Sequence, residues 1–497
     1  MQSNNQRRGL WLRTTFLTAA AILALPLSAV AKDLPPTPEG AQKLSASLAI
    51  YLGKLVVGES PPVSVSPEGA HYLVAVDLAA LAAPFKESGF SIDPAIVKYE
   101  VTEQDDATWR VASDSLPPLS IHTKQGSIAY AFNGYKFDGI YDPALGAFKN
   151  AHADVGKVDA EVHLPDVDET IAIGAAHVTQ SGTPAANGAT SLVAQEDFAD
   201  LSAHVSASPA AAKADPDASP VQVLLEFAKV AADVGLDGMP MRKALDLWAF
   251  AVAHPSRPEI ASNEPAFKSL LRALLPADLK LAEKVNLQKL SAETPKGIFG
   301  VADGKFGLAA AWTPGPKSSV EYQLSMAGIT LPAGLTPPAT QDLVPTAFDF
   351  DVKASGFDLG AGAGEAIDDM HFAGDGPVIS EADGAKIAAK MKGTGAILVD
   401  LMPSHVVAPA IDLTIEGQAH LEGARPSGVL KVHIRNFDKT VAALKGLGQL
   451  ASPQMIGGLA MAKSLAKTES DGVLTWVAEY GADGSIKVNG LPLGKAP

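Results

Sequence analysis

From position 63 onward, apolar and polar residues alternate in short stretches, and this period of two constrains the fold more than any other property of the chain. The stretches 97–103, 108–113, 119–123, 128–132, 135–140, 155–164 and 171–179 alternate or are rich in β-branched residues, with Gly, Pro, Asp or Asn between them. That spacing predicts an antiparallel meander. The signal returns from Val285, where 297–302, 305–312, 320–330, 347–353, 396–401, 411–421 and 428–436 read as strands and Asp303-Gly304 as a hairpin turn. In Phe348-Asp349-Phe350-Asp351-Val352 the rings and the valine fall on one face and both carboxylates on the other, so this sheet has one wet side. The chain closes in a hairpin, 473–480 and 485–489, turned at Asp483-Gly484.

Helical patterns interrupt the alternation. Thr37 and Pro38 mark a helix start, and Leu44, Leu48, Leu52, Leu55 and Val56 share one face. Asp77 caps a short helix from Leu78. Ser219, Pro220 and Gln222 read as a cap, a first-turn proline and a capping-box residue, followed by an apolar face of Val223, Leu224, Phe227, Val230 and Ala231. Further helices are expected at 240–254, 264–275, 381–391, 439–447 and 453–467. The small, polar, proline-containing stretch 206–220 reads as a linker. The expected organisation is therefore a leader at 1–31, an N-terminal α+β domain at 32–205, the linker at 206–220, a helical segment at 221–284 and a C-terminal α+β domain at 285–497. The expected fold class is α+β, with extended, curved antiparallel sheets and amphipathic helices packed on one face.

Residues 1–31 have the form of a secretory signal. Arg7, Arg8 and Arg13 precede the apolar stretch 16–27, and Ala29-Val30-Ala31 offers the small residues that place cleavage before Lys32. Arg7-Arg8 faintly resembles a twin-arginine signal, although Leu12 stands where that motif usually has lysine. The expected compartment is the periplasm, with no transmembrane segment left after cleavage, because no later run approaches roughly 20 apolar residues.

Composition removes several functions. The 497 residues contain no cysteine, which excludes disulfides, thiolate metal sites and a thiol nucleophile. Lys and Arg number 39 against 55 Asp and Glu, a net charge of −16 that argues against a nucleic-acid partner or electrostatic attachment to anionic lipid. No G-x-S-x-G, H-E-x-x-H, calcium-loop or Walker sequence occurs, and no cofactor is implied. Three weaker patterns read better as structure than as chemistry. Ser464 and Lys467 fit S-x-x-K within a helix, Asp368-Asp369-Met370-His371 groups hard ligands in a solvated loop, and the glycines from Gly360 to Gly364 suggest a flexible connection. No catalytic or metal-binding residue is assigned.

The C-terminal third carries Gly423-Ala424-Arg425-Pro426-Ser427-Gly428 before an alternating strand and a Leu/Ala helix, then Ala482-Asp483-Gly484-Ser485-Ile486-Lys487-Val488-Asn489-Gly490 and Pro492-Leu493-Gly494. These residues, with the strand, Asp77 and helix unit leading to Gly89-Phe90, resemble a family of exported alphaproteobacterial proteins, the domain-of-unknown-function family numbered twenty-one twenty-five. A remoter resemblance is to AsmA-like envelope proteins, which are thought to handle lipids. The resemblance implies an envelope protein but supplies no catalytic residues. Two functions are expected from the pattern: carriage of a lipid or other hydrophobic ligand on an apolar trough, or a structural, protein-binding role in the envelope.

Overall fold

The computed structural model describes residues 35–53, 56, 60–207, 222–275, 278–393, 395–422, 426–446 and 452–495. Its strands are β1 (Val63–Glu68), β2 (His71–Asp77), β3 (Ser91–Ile92), β4 (Ile96–Glu103), β5 (Trp109–Ser113), β6 (Leu119–Thr123), β7 (Gly126–Asn133), β8 (Lys136–Asp142), β9 (Ala147–Val155), β10 (Lys157–His163), β11 (Val167–Ile173) and β12 (Ala175–Pro184). They continue as β13 (Thr190–Ala207), β14 (Gln222–Met239), β15 (Leu279–Thr294), β16 (Gly297–Trp312), β17 (Ser318–Ala327), β18 (Ala347–Phe357), β19 (Ile397–Ala408), β20 (Ile411–Leu421), β21 (Ser427–Arg435), β22 (Lys467–Thr468), β23 (Leu474–Tyr480), β24 (Ser485–Val488) and β25 (Leu491–Lys495). All the pairings are antiparallel, and all join a single sheet.

Three of these strand pairs are halves of longer strands: β7 with β8, β9 with β10 and β11 with β12 each run on across a single break. With β3 and β4, and β5 and β6, likewise taken as halves of longer strands, the sheet is a meander in which each strand pairs with its neighbours in the chain, except that β21 pairs with β23 and the two-residue β22 lies on the other side of β23. No crossover is needed. The edges are β1 at one end and β25 at the other, and they do not meet.

A seam crosses the sheet where those breaks lie. Gly134 (φ 67), Asp200 (φ 48), Lys289 (φ 51) and Gly328 (φ 66) have left-handed backbone. The Gly156 amide donates to Asn133 at 2.9 Å, and the Gly174 amide to Ala199 at 3.0 Å, in the strands between. A left-handed residue turns the next side chain to the other side of its strand. Across the breaks, residues three apart share a side: Val155 with Val158, Ile173 with Ala176, and Phe198 with Leu201 around the left-handed Asp200, all in one cluster. The alternation loses one beat at the seam, and the apolar side stays the same above and below it.

The main core lies at the N-terminal end, where helix α1 (Pro38–Leu52) covers the apolar side of the sheet. The Thr37 hydroxyl accepts from the Gly40 amide at 3.0 Å and starts the helix. Ala41, Leu44 and the fully buried Leu48 press on Val74, Val76, Val97, Val101, Trp109, Tyr141 and Phe148. Helix α2 (Leu78–Ala82), capped by Asp77, adds Leu78 and Leu81 at the margin.

The remaining helices occupy connections between strand ends. Helices α3 (Met241–Ala253), α4 (Arg257–Ser262) and α5 (Glu264–Leu274) join β14 to β15, and α6 (Leu359–Asp369) and α7 (Glu381–Lys392) join β18 to β19 at the same end of the meander. They form a row beside α1. The Trp248 indole donates to the Tyr51 carbonyl at 2.9 Å, Phe267 meets Phe250 and Phe372, and Arg272 pairs with Asp368. Helices α8 (Phe437–Gly446) and α9 (Pro453–Leu465) lie between β21 and β22, at the opposite end.

Several expectations are corrected. The segment 222–231 is not a helix, because residues from Gln222 belong to β14, paired on both sides by β13 and β15, while Ser219, Pro220 and Val221 lie outside the described residues. Phe227 and Val230 straddle the seam, and their spacing of three imitates a helical face. The helical segment expected at 221–284 is helical only in α3 to α5, as β15 has begun by Leu279. Asp303-Gly304 is no turn but the middle of β16, held by Gln288 and Leu287 on one side and Ala327 and Met326 on the other. Ser206 and Ala207 complete β13, the rest of the linker stretch lies outside the described residues, and the strands flanking it belong to one sheet. The glycines from Gly360 to Gly364 lie in α6, started by Asp358, and Gly362 leaves room for Met391 of α7. The architecture is thus mostly one antiparallel sheet with some helices, of which α1 supplies the buried side chains of the main core.

Candidate functional site

The apolar side that α1 covers at one end continues across the rest of the sheet. Register fixes the faces, since residues directly opposite in an antiparallel pair point the same way. Val234 and Leu236 of β14, Leu281 and Val285 of β15, and Phe306 and Leu308 of β16 fall on this side. Tyr322 and Leu324 of β17, Phe350 and Val352 of β18, and Leu401 of β19 continue it. Ile415 of β20, Leu430 and Val432 of β21, Trp476 of β23 and Val488 of β24 complete the row. Phe306, Tyr322 and Phe350 make an aromatic file over three adjacent strands, with centroids 5.4 and 6.4 Å apart.

At its far end Phe437 of α8 packs on Trp476 at 5.7 Å and α9 accepts the Trp476 indole N–H, but among the described residues nothing covers the strands between as α1 covers the other end. Both core clusters are built from residues that precede β14. Val320, Phe350 and Leu430 remain 41%, 41% and 42% exposed, and most of their neighbours are only half-buried. Exposed apolar patches on soluble monomers seldom exceed a few hundred Å² unless they bind something.

The opposite face is polar and internally paired. Lys229 meets Asp197, Lys353 meets Glu321, Lys431 meets Glu416 and Arg435 meets Asp412 at 2.6, 3.7, 2.8 and 3.4 Å. His177 with Asp154 and His405 with Asp349 are directly opposed pairs of the same kind. Some carboxylates depart from this division, two of them across β14 from each other in β13 and β15. Glu196 and Glu283 register with Ala232 and Val234 on the apolar side. Burial, and then the neighbouring charge of Glu283, push the Glu196 carboxyl above its ordinary value.

The residues singled out by motif do not form sites. The Ser464 hydroxyl donates to the Met461 carbonyl at 2.7 Å. Asp368 pairs with Arg272, Asp369 with Lys386 and His371 with Glu264, and no group of three metal-ligating side chains occurs among the described residues. Ala29, Ala31 and Lys32 lie outside the described residues. No described helix is long and apolar enough to cross a membrane. The apolar face itself was legible in the alternation of 348–352, but its extent was not, because the facing of each strand depends on register. No family model, curated protein or solved structure matches the chain.

Proposed function

We propose that this chain is an exported envelope protein that carries a lipid or another hydrophobic ligand on the open apolar face of β14 to β24. One observation carries the reading: a continuous apolar side, closed by α1 at one end, met by α8 and α9 at Trp476 and uncovered between them among the described residues. Each methylene of an acyl chain taken from water onto such a surface contributes up to about 0.8 kcal/mol. The paired charges of the other face keep that side in water, so the sheet separates ligand from solvent. The signal form of residues 1–31 supports a periplasmic location, and the resemblance to the exported family and remotely to AsmA-like proteins supports the same assignment. Curvature of the sheet into a trough belongs to this proposal.

Native mass spectra of the protein purified from its envelope, before and after organic extraction, test it. A lipid released in near-stoichiometric amount is the expected result. A bare-chain mass with no uptake from lipid vesicles would sink the carrier reading and favour the protein-binding alternative.

A further inference from the structure

We infer that helix α9 and the lysines around it dock this protein on an anionic lipid surface. The helix has no charged residue from Pro453 to Ala462. Its inner side is tied to the sheet, since the Trp476 indole donates to the Ala462 carbonyl and the Asn489 amide to the Leu465 carbonyl, both at 2.7 Å. The outer side is where a surface helix normally shows polar residues. Here it shows Met461, 66% exposed, and Met455, 37% exposed, with Gly457, Gly458 and Ala460 between them and only the uncharged Gln454 and Ser464 as polar neighbours on that side. Flexible thioether side chains fit an irregular apolar medium such as the acyl layer below lipid headgroups.

Charge selects the occupant. Helices α8 and α9, with Lys467 just beyond, hold Lys439, Lys445, Lys463 and Lys467 against the single carboxylate of Asp438, in a chain of net charge −16. Asp438 is taken up by Lys463 at 2.5 Å, the nearby Asp412 and Asp471 share Arg435 at 3.4 and 3.2 Å, and the exposed Glu469 follows Lys467 by two residues, so five cations stand there against four carboxylates. Lys439, Lys445 and Lys467 are exposed. The acidity of the whole chain repels anionic lipid at a distance, but screening confines interactions to about 8–10 Å, where the local sign decides. An apolar helix and a basic rim are the two signals that together hold a protein at a bilayer surface. This inference does not depend on ligand carriage: the one residue of the apolar sheet face that it uses, Trp476, only holds α9 in place.

The absence of cysteine makes the test specific to one position. Met461→Cys in the full chain, carrying an environment-sensitive fluorophore, is mixed with vesicles of phosphatidylcholine alone or with added phosphatidylglycerol. Met455→Cys is the second probe, and Lys305→Cys on the polar sheet face is the control. The expected result is a blue shift and protection from an aqueous quencher at 461 and 455, only with phosphatidylglycerol, reversed by salt and absent at 305. Adding Lys445→Glu and Lys467→Glu raises the lipid needed for half the shift by roughly tenfold or more. Both probes remaining in water on anionic vesicles overturns the inference, including when the apolar stretch 16–27 carries the binding. A shift indifferent to phosphatidylglycerol and to the lysines overturns it too, as does a shift given only by a lipid-free protein fraction.

Discussion

At the scale of single residues, the two ends of the apolar side behave differently. Leu48 is fully enclosed between α1 and the sheet, so Leu48→Ala leaves a cavity and is expected to destabilise the protein by about 2–5 kcal/mol, read as a lower denaturant midpoint. Phe350, on the same side but uncovered, costs far less when changed to Ala in the ligand-free protein, and the loss appears instead in ligand uptake. Glu196 gives a pH signature. Its carboxyl is raised in the fold, so its contribution to stability is fully present below the ordinary value of 4.5 and is lost as pH rises through the higher folded value. Glu196→Gln is therefore expected to raise the unfolding midpoint at neutral pH, with the gain vanishing in acid below that ordinary value. An unchanged difference across the pH range would remove burial of this carboxyl as the cause.

At the scale of elements, the exposed edges are guarded. Glu68 opposes His71 and Val488 opposes Leu491 across two-residue turns, pairs that are hydrogen-bonded in such hairpins. The next residue along each edge strand, Pro67 in β1 and Pro492 in β25, has its nitrogen directed away from the sheet. Neither offers an N–H there to an incoming strand. Changing both to Val is expected to produce higher-mass species in size-exclusion chromatography with light scattering, whereas a monodisperse double variant would show that the prolines are not the guards. Much of the element list was legible in sequence, because caps and alternation are local: Thr37 and Asp77 each start a helix as read, and 411–421 is a strand with those limits. The failures share a cause in context. Phe227 and Val230 imitate a helix only because a left-handed seam skips one residue, and Asp303-Gly304 has turn chemistry that pairing on both sides overrides. The extent of the apolar face needed the register of a dozen neighbouring strands, which no local pattern holds.

At the scale of the whole molecule, stability is distributed unevenly along the sheet. The region under α1 has a closed core, while β14 to β24 rely on hydrogen bonds and one paired face. Amide exchange is expected to be slowest in β2 to β9 and faster across β17 to β24, with bound ligand slowing the second group. Uniform protection along the ligand-free sheet would argue that the apolar face is covered. The sequential order of the meander carries a further consequence. Since, β22 aside, each full-length strand leans only on those just before and after it, the sheet can be completed hairpin by hairpin as the chain is delivered, with the α1 core finished before the C-terminal strands exist. The same order makes reach an adjustable quantity: inserting or deleting one hairpin lengthens or shortens the face by two strand widths, about 9–10 Å, without rethreading anything else.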